Sequence, residues 1–97
     1  MQSARSEVSI DNDRVRVTTW TLARDERTGR HRHELDYVVV PLTAGQLAMT
    51  SAGTATSSKL THGGCYFRDA GVEHDVSNPS AQTVAFVEIE IKRPALA

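Results

Sequence analysis

The chain has 97 residues, one cysteine (Cys65), and eleven basic against twelve acidic side chains, for a formal net charge of −1. That length supports one domain with one core, expected over 1–97 with the core at about 14–92. A near-neutral balance without a basic cluster predicts no nucleic-acid partner, and a lone cysteine forbids an internal disulfide and suits a reducing cytoplasm.

The N-terminus, Met1-Gln2-Ser3-Ala4-Arg5, is polar and predicts no signal peptide. The longest apolar run, Tyr37 to Leu42, is too short to span a membrane. Apolar spacing follows period two nearly throughout, so strands are expected and no helix. Val8 and Ile10 alternate before the turn signal Asp11-Asn12-Asp13. Val15 and Val17 alternate among Arg14, Arg16 and Thr18, and the stretch continues through Trp20 and Leu22 towards a turn at Thr28-Gly29. Tyr37-Val38-Val39-Val40 is a β-branched run of the kind buried on both faces. Pro41 lacks a ladder donor, so its strand ends there, lies at an edge, or carries a bulge. Leu47 and Met49 alternate, and the small polar residues from Ser51 to Ser58 suit a weak hairpin or a mobile loop. After turns at His62-Gly63-Gly64, Ala70-Gly71 and Asn78-Pro79-Ser80, a last run sets Val84, Phe86, Glu88 and Glu90 on one face. Ala85, Val87, Ile89 and Ile91 take the other, and Pro94 is expected to close the strand. Many short strands between regular turns predict an all-β barrel or sandwich.

Residues i and i+2 of an extended strand point to the same side, so His31 and His33 aim their imidazoles into a common space. Such a pair alone is commonly a half-exposed surface strand. A third histidine at the start of a later strand would complete three nitrogens, the minimum that a catalytic metal needs while keeping a position open.

The downstream segment supplies that histidine in a specific setting. Gly63, then Asp69-Ala70-Gly71, then His74, then Asn78 closely resembles the second sequence motif of the cupins. His31-Arg32-His33 with Gly45 further on resembles the first. The resemblance covers roughly residues 14 to 92, and it implies a small cupin β-barrel, a double-stranded β-helix or jelly roll, with His31, His33 and His74 as metal ligands. The wording from Gly29 to Leu42 looks like the small cupins found near β-alanine degradation genes. The implied cofactor is a divalent transition metal: iron, zinc, nickel or manganese.

Two departures stand out. Asp69 replaces the turn proline, while Gly71 keeps the permissive backbone position. The glutamate usual four or five positions after the second histidine is missing, and Tyr37 and Val38 stand there instead. Three neutral imidazoles leave a divalent charge uncompensated, which favours an anionic or bidentate oxygen ligand. Tyr37 shares parity with the histidines if the strand is unbroken, so its hydroxyl is the candidate catalytic group, donating to bound water or acting as an acid. Glu34 and Asp36 should face away. Cys65 is read as a small buried hydrophobe, His62 as solvated, Trp20 and Phe86 as core, and Asn78 as a turn residue making backbone hydrogen bonds. Arg30, Arg32 and Arg68 are read as solvated, with Arg68 a carboxylate anchor if it points inward. Glu88 and Glu90 share the Phe86 face of the last strand, from which one could reach the pocket, but neither is assigned a role.

The expected function is that of a metal-dependent enzyme, by resemblance an oxidoreductase of dioxygenase type, acting on a small oxygen-rich metabolite. The competing reading is a non-catalytic module that binds a small molecule or regulates. Under either, homodimerisation through sheet edges or faces is expected, because apolar alternation runs through both terminal segments.

Overall fold

The period-two runs become nine strands in the structure, a computed structural model that describes residues 3–92. They are β1 (Arg5–Asp11), β2 (Val15–Leu22), β3 (His31–Arg32), β4 (Asp36–Pro41), β5 (Gly45–Ser51), β6 (Thr54–Leu60), β7 (Tyr66–Arg68), β8 (Glu73–Ser77) and β9 (Val84–Ile91). A five-stranded sheet in the order β1-β2-β9-β4-β7 faces a four-stranded sheet in the order β3-β8-β5-β6, and every strand pair is antiparallel. No helix among the described residues is long and apolar enough to cross a membrane.

The core fills the space between the sheets. Leu22, Tyr37, Val39, Val84 and Phe86 come from the five-stranded side, and Leu47, Leu60 and Val76 from the other. Fully burying side chains of this size contributes roughly 1.5–3 kcal/mol each. On β9 the inward face changes character along its length: Val84 and Phe86 are apolar, and Glu88 and Glu90 follow on the same side. That change carries the strand from the core into a polar region.

Several expectations need correction. β4 is buried on one side only: Tyr37, Val39 and Pro41 are buried, while Asp36, Val38 and Val40 are half-buried on the outer side of the sheet. Pro41 ends a strand held between β7 and β9, the first of the alternatives open to it. The Ser51–Ser58 segment is an ordered hairpin, with β5 and β6 paired from Gly45↔Leu60 to Ser51↔Thr54. Its turn residues Ala52 (φ 50°) and Gly53 (φ 79°) both take the left-handed conformation that suits a two-residue hairpin. Cys65 is exposed, because it sits in the short connection before β7 rather than on an inward strand position. Asn78 is fully buried and does what its turn setting predicts: its amide donates to Leu22 O at 2.9 Å and Gln82 O at 2.7 Å, and its Oδ1 accepts from Ser80 N and Oγ. Phe86 is core, Trp20 packs partly buried against it, and His62 is exposed. Pro94 lies outside the described residues.

Candidate metal centre

β3 and β8 pair in antiparallel register with His31 opposite His74 and Arg32 opposite Glu73. The ladder continues past the short β3, since His33 N donates to Val72 O at 2.8 Å and Gly71 N to His33 O at 2.7 Å. Directly opposed residues and i, i+2 neighbours share a side, so all three imidazoles point the same way. Gly71 makes the chain reversal possible with φ 101°, a conformation that disfavours any side chain. The parity and the spacing read from the sequence therefore converge on one place. His31 Nε2 lies 3.0 Å from His33 Nε2, which lies 3.1 Å from His74 Nε2.

The protonation chemistry follows from burial. Desolvation first, then the neighbouring His31 ring, lowers both His33 and His74 to about 4. Both are neutral at physiological pH. His31 Nδ1 lies 2.8 Å from Gly29 O, the geometry of a ring N–H donating to that carbonyl, which orients Nε2 towards the other two rings. Three ring nitrogens converging on one point, two of them from rings held neutral by burial, cannot all be satisfied by hydrogen bonds to one another. Nitrogens held at about 2.1 Å from one ion stand roughly 3.0 to 3.4 Å apart in right-angle or tetrahedral arrangement. The His31–His33 and His33–His74 spacings fall in that range, all three ligand atoms lie within 4.8 Å of one another, and the donor set suits a divalent transition metal.

Tyr37 reaches this centre by a different route from the one the sequence suggests. The strand is not unbroken: β3 belongs to the four-stranded sheet and β4 to the five-stranded one, and the chain crosses between them after His33. The crossing lays the Tyr37 ring on His33, with centroids 4.0 Å apart and planes 19° from parallel. Burial, and then the charge of Glu88, pushes its hydroxyl up to about 12, so it keeps its proton at neutral pH and is a hydrogen-bond donor. Glu34 is exposed, and Asp36 Oδ1 accepts from Ala70 N at 2.8 Å; neither turns towards the histidines.

Of the two glutamates on the Phe86 face, the one that reaches the site is Glu88. Its Oε2 lies 3.9 Å from His33 Nε2, with the carboxylate side chain 12% exposed. Its Oε1 accepts from Trp20 Nε1 at 3.2 Å. Desolvation, and then Glu90, raises it to about 7. The available signal was its shared side with Phe86; its distance to a histidine on the opposite sheet has no sequence signature. Glu90 is instead committed to Arg16, whose Nε and Nη2 donate to its two oxygens at 2.7 and 2.8 Å.

Two hollows meet at the centre. One, of about 250 Å³, lies within the barrel; His74, Tyr37 and Glu88 line it, with walls from Val39, Leu47 and Phe86 and with Tyr66 and Arg68 also contributing. The other, of about 500 Å³, lies beside β1 and β2 and is lined by His31, His33, Trp20, Arg16 and again Glu88. Arg68 holds its guanidinium 4.5 Å from the centroid of the Tyr66 ring. Unlike Arg16, Arg27 and Arg30, it has no carboxylate at ion-pair distance among the described residues.

Double sheets enclosing a three-histidine cluster define the cupin architecture, and comparison with known proteins agrees. The chain is 53% identical over 85 residues to the β-alanine degradation protein BauB of Pseudomonas aeruginosa, covering 88% of this chain and 90% of that protein. It superposes on the crystal structure of a cupin domain from Bordetella pertussis with a TM-score of 0.92 and 49% identity, over 95% of this chain and 96% of that one. A cupin superfamily protein from Desulfitobacterium hafniense shares the fold at a TM-score of 0.71 and 15% identity, over 94% of this chain and 79% of that one. No protein-family profile matches the chain. The chain belongs to the cupins and, within them, to the small cupins related to that β-alanine degradation protein.

Proposed function

We propose that this protein is a metal-dependent cupin that acts on a small carboxylate metabolite in β-alanine degradation. The observation that carries the reading is the convergence of three imidazoles, with Nε2 spacings of 3.0 and 3.1 Å, where a cavity of about 250 Å³ lined by His74 adjoins the hollow lined by His31 and His33. A cavity of that size suits a compact metabolite rather than a polymer. Arg68, lining the same cavity and without an acidic partner among the described residues, supports an anionic end on the ligand. The role in β-alanine degradation rests on the P. aeruginosa relative.

In this reading His31, His33 and His74 hold a divalent transition metal. When bound, the metal supplies Lewis-acid polarisation of a ligand oxygen or, if it is iron, redox chemistry of the oxidoreductase, dioxygenase-like type. Tyr37 donates a hydrogen bond from the cavity wall and fixes the plane of His33 by stacking on it. The apolar walls exclude water from the ligand.

The test is metal analysis after reconstitution with iron, zinc, nickel or manganese, on the wild type beside His33→Ala. The wild type should retain about one equivalent and the variant almost none. Equal metal in both would sink the proposal. Among small carboxylates, a ligand that raises the melting temperature only in the metal-loaded wild type supports the enzyme reading. One that raises it equally in the wild type and a variant lacking all three histidines supports a binding module instead.

A further inference from the structure

We propose that Glu88 supplies the carboxylate ligand that the sequence after His33 lacks, so that the centre is a three-nitrogen, one-oxygen site completed from β9. The inference rests on the metal-binding reading above and adds a ligand to it.

Position is the first argument. Glu88 Oε2 stands 3.9 Å from His33 Nε2, the nitrogen central to the other two. Two ligand atoms at about 2.1 Å from one ion are roughly 3.0 to 3.4 Å apart at right-angle or tetrahedral geometry. The excess over that range is about 0.5 Å, and the rotatable bonds of a glutamate side chain are the means of closing it.

Elimination is the second. Both oxygens of Glu90 are held by Arg16. Glu34 is exposed beside Arg32, Glu73 pairs with Arg30, and Asp75 follows His74 directly on β8 and so points to the other side of the strand, with Oδ2 3.5 Å from Arg27. Among the described residues Glu88 accepts a hydrogen bond only from a neutral indole N–H, on Oε1, and its other oxygen is the one turned to His33. A buried carboxylate without a cation is costly. A divalent ion between it and the imidazoles removes that cost and lowers the charge excess that three neutral nitrogens would leave.

Support is the third. β9 lies between β2 and β4 in the middle of its sheet, with Glu88 opposite Thr18 on one side and Val39 on the other. The Trp20 N–H orients the carboxylate as an outer partner orients a metal ligand. Tyr37 fills the position along β4 from which the usual glutamate would reach, and its ring lies against His33 there. The acid has in effect moved to the neighbouring strand. Adding a hard oxygen to three imidazoles shifts the site towards iron or manganese relative to a site of nitrogen alone.

The probe is cobalt(II), followed by its visible absorption and by competition with a chelator, on the wild type, Glu88→Gln and His33→Ala. Circular dichroism establishes that each variant is folded. Glu88→Gln should bind cobalt(II) at least about tenfold more weakly and with an altered visible spectrum. Equal affinity and an identical spectrum in the wild type and Glu88→Gln would overturn this proposal and leave the three-histidine reading standing. No cobalt(II) binding by the wild type overturns both. On the wild type alone, adding cobalt(II) should shift a carboxylate stretch in the infrared difference spectrum, an effect that His33→Ala removes. A difference spectrum without that shift counts against Glu88, whatever the variants' folding behaviour.

Discussion

The two buried histidines and Glu88 move in opposite directions, and the metal-free protein should show it. His33 and His74 are lowered from 6.5 to about 4, so the unfolded chain binds more protons than the folded one between those values. Their contribution to stability is fully present above pH 6.5 and is lost as pH falls towards 4. Glu88 is raised from 4.5 to about 7, so its contribution is present below pH 4.5 and is lost as pH rises through 7. Urea unfolding of metal-free protein should therefore show stability falling on the acid side below about pH 6.5. Glu88→Gln should gain stability relative to the wild type as pH rises from 4.5 to 8, by on the order of 3 kcal/mol at about 1.4 kcal/mol per pKa unit. A constant difference between the two proteins across that range would contradict the assignment. Asn78 belongs to the same scale. Asn78→Ala strips the buried carbonyl of Leu22 and the half-buried one of Gln82 of their side-chain donor. It should cost roughly 2–4 kcal/mol and lower the melting temperature by about 10 °C or more.

At the level of elements, the β5–β6 hairpin carries a local cost at Ala52, whose φ of 50° is unfavourable for a residue with a Cβ. Ala52→Gly should stabilise by about 1 kcal/mol and raise the melting temperature by several degrees, read by thermal unfolding. Ala52→Val should do the reverse. The hairpin was open to two readings because Ser, Thr and Ala carry neither period clearly. Pairing with β8 through Ala48↔Ser77 to Thr50↔Asp75 anchors the β5 side of it. The segment from His31 to Tyr37 shows the limits of parity from the other side. His31 and His33 are correctly matched because the ladder with β8 extends past β3. Tyr37 reaches the site because the chain changes sheets, not because one strand runs through.

Across the whole molecule, a row of apolar side chains crosses the outer side of the five-stranded sheet. Ile10, Val17, Ile89, Val38 and Phe67 are successive register partners on β1, β2, β9, β4 and β7. Ile10 is 47% and Phe67 50% exposed at its two ends. We propose that a second copy packs on this face, since two apolar sheet faces can stack as sheets do in a sandwich. The expected outcome is a dimer mass by light scattering at micromolar concentration. Ile10→Lys with Phe67→Lys should shift it to the monomer while leaving the circular dichroism spectrum unchanged. A wild-type monomer under those conditions would remove the surface from consideration.

The sequence by itself determined the all-β class, most strand positions, the cupin resemblance and the three histidines. Each of these rests on local periodicity, turn chemistry or fixed spacing, which act between near neighbours in the chain. Tertiary structure decided the side of β4 that is buried, the exposure of Cys65 and the stacking of Tyr37 on His33. It also brought Glu88 to 3.9 Å from His33 across 55 positions of chain. Those outcomes depend on which strands become neighbours and where the chain crosses between sheets. Packing of the whole barrel sets that, and no short stretch of residues encodes it.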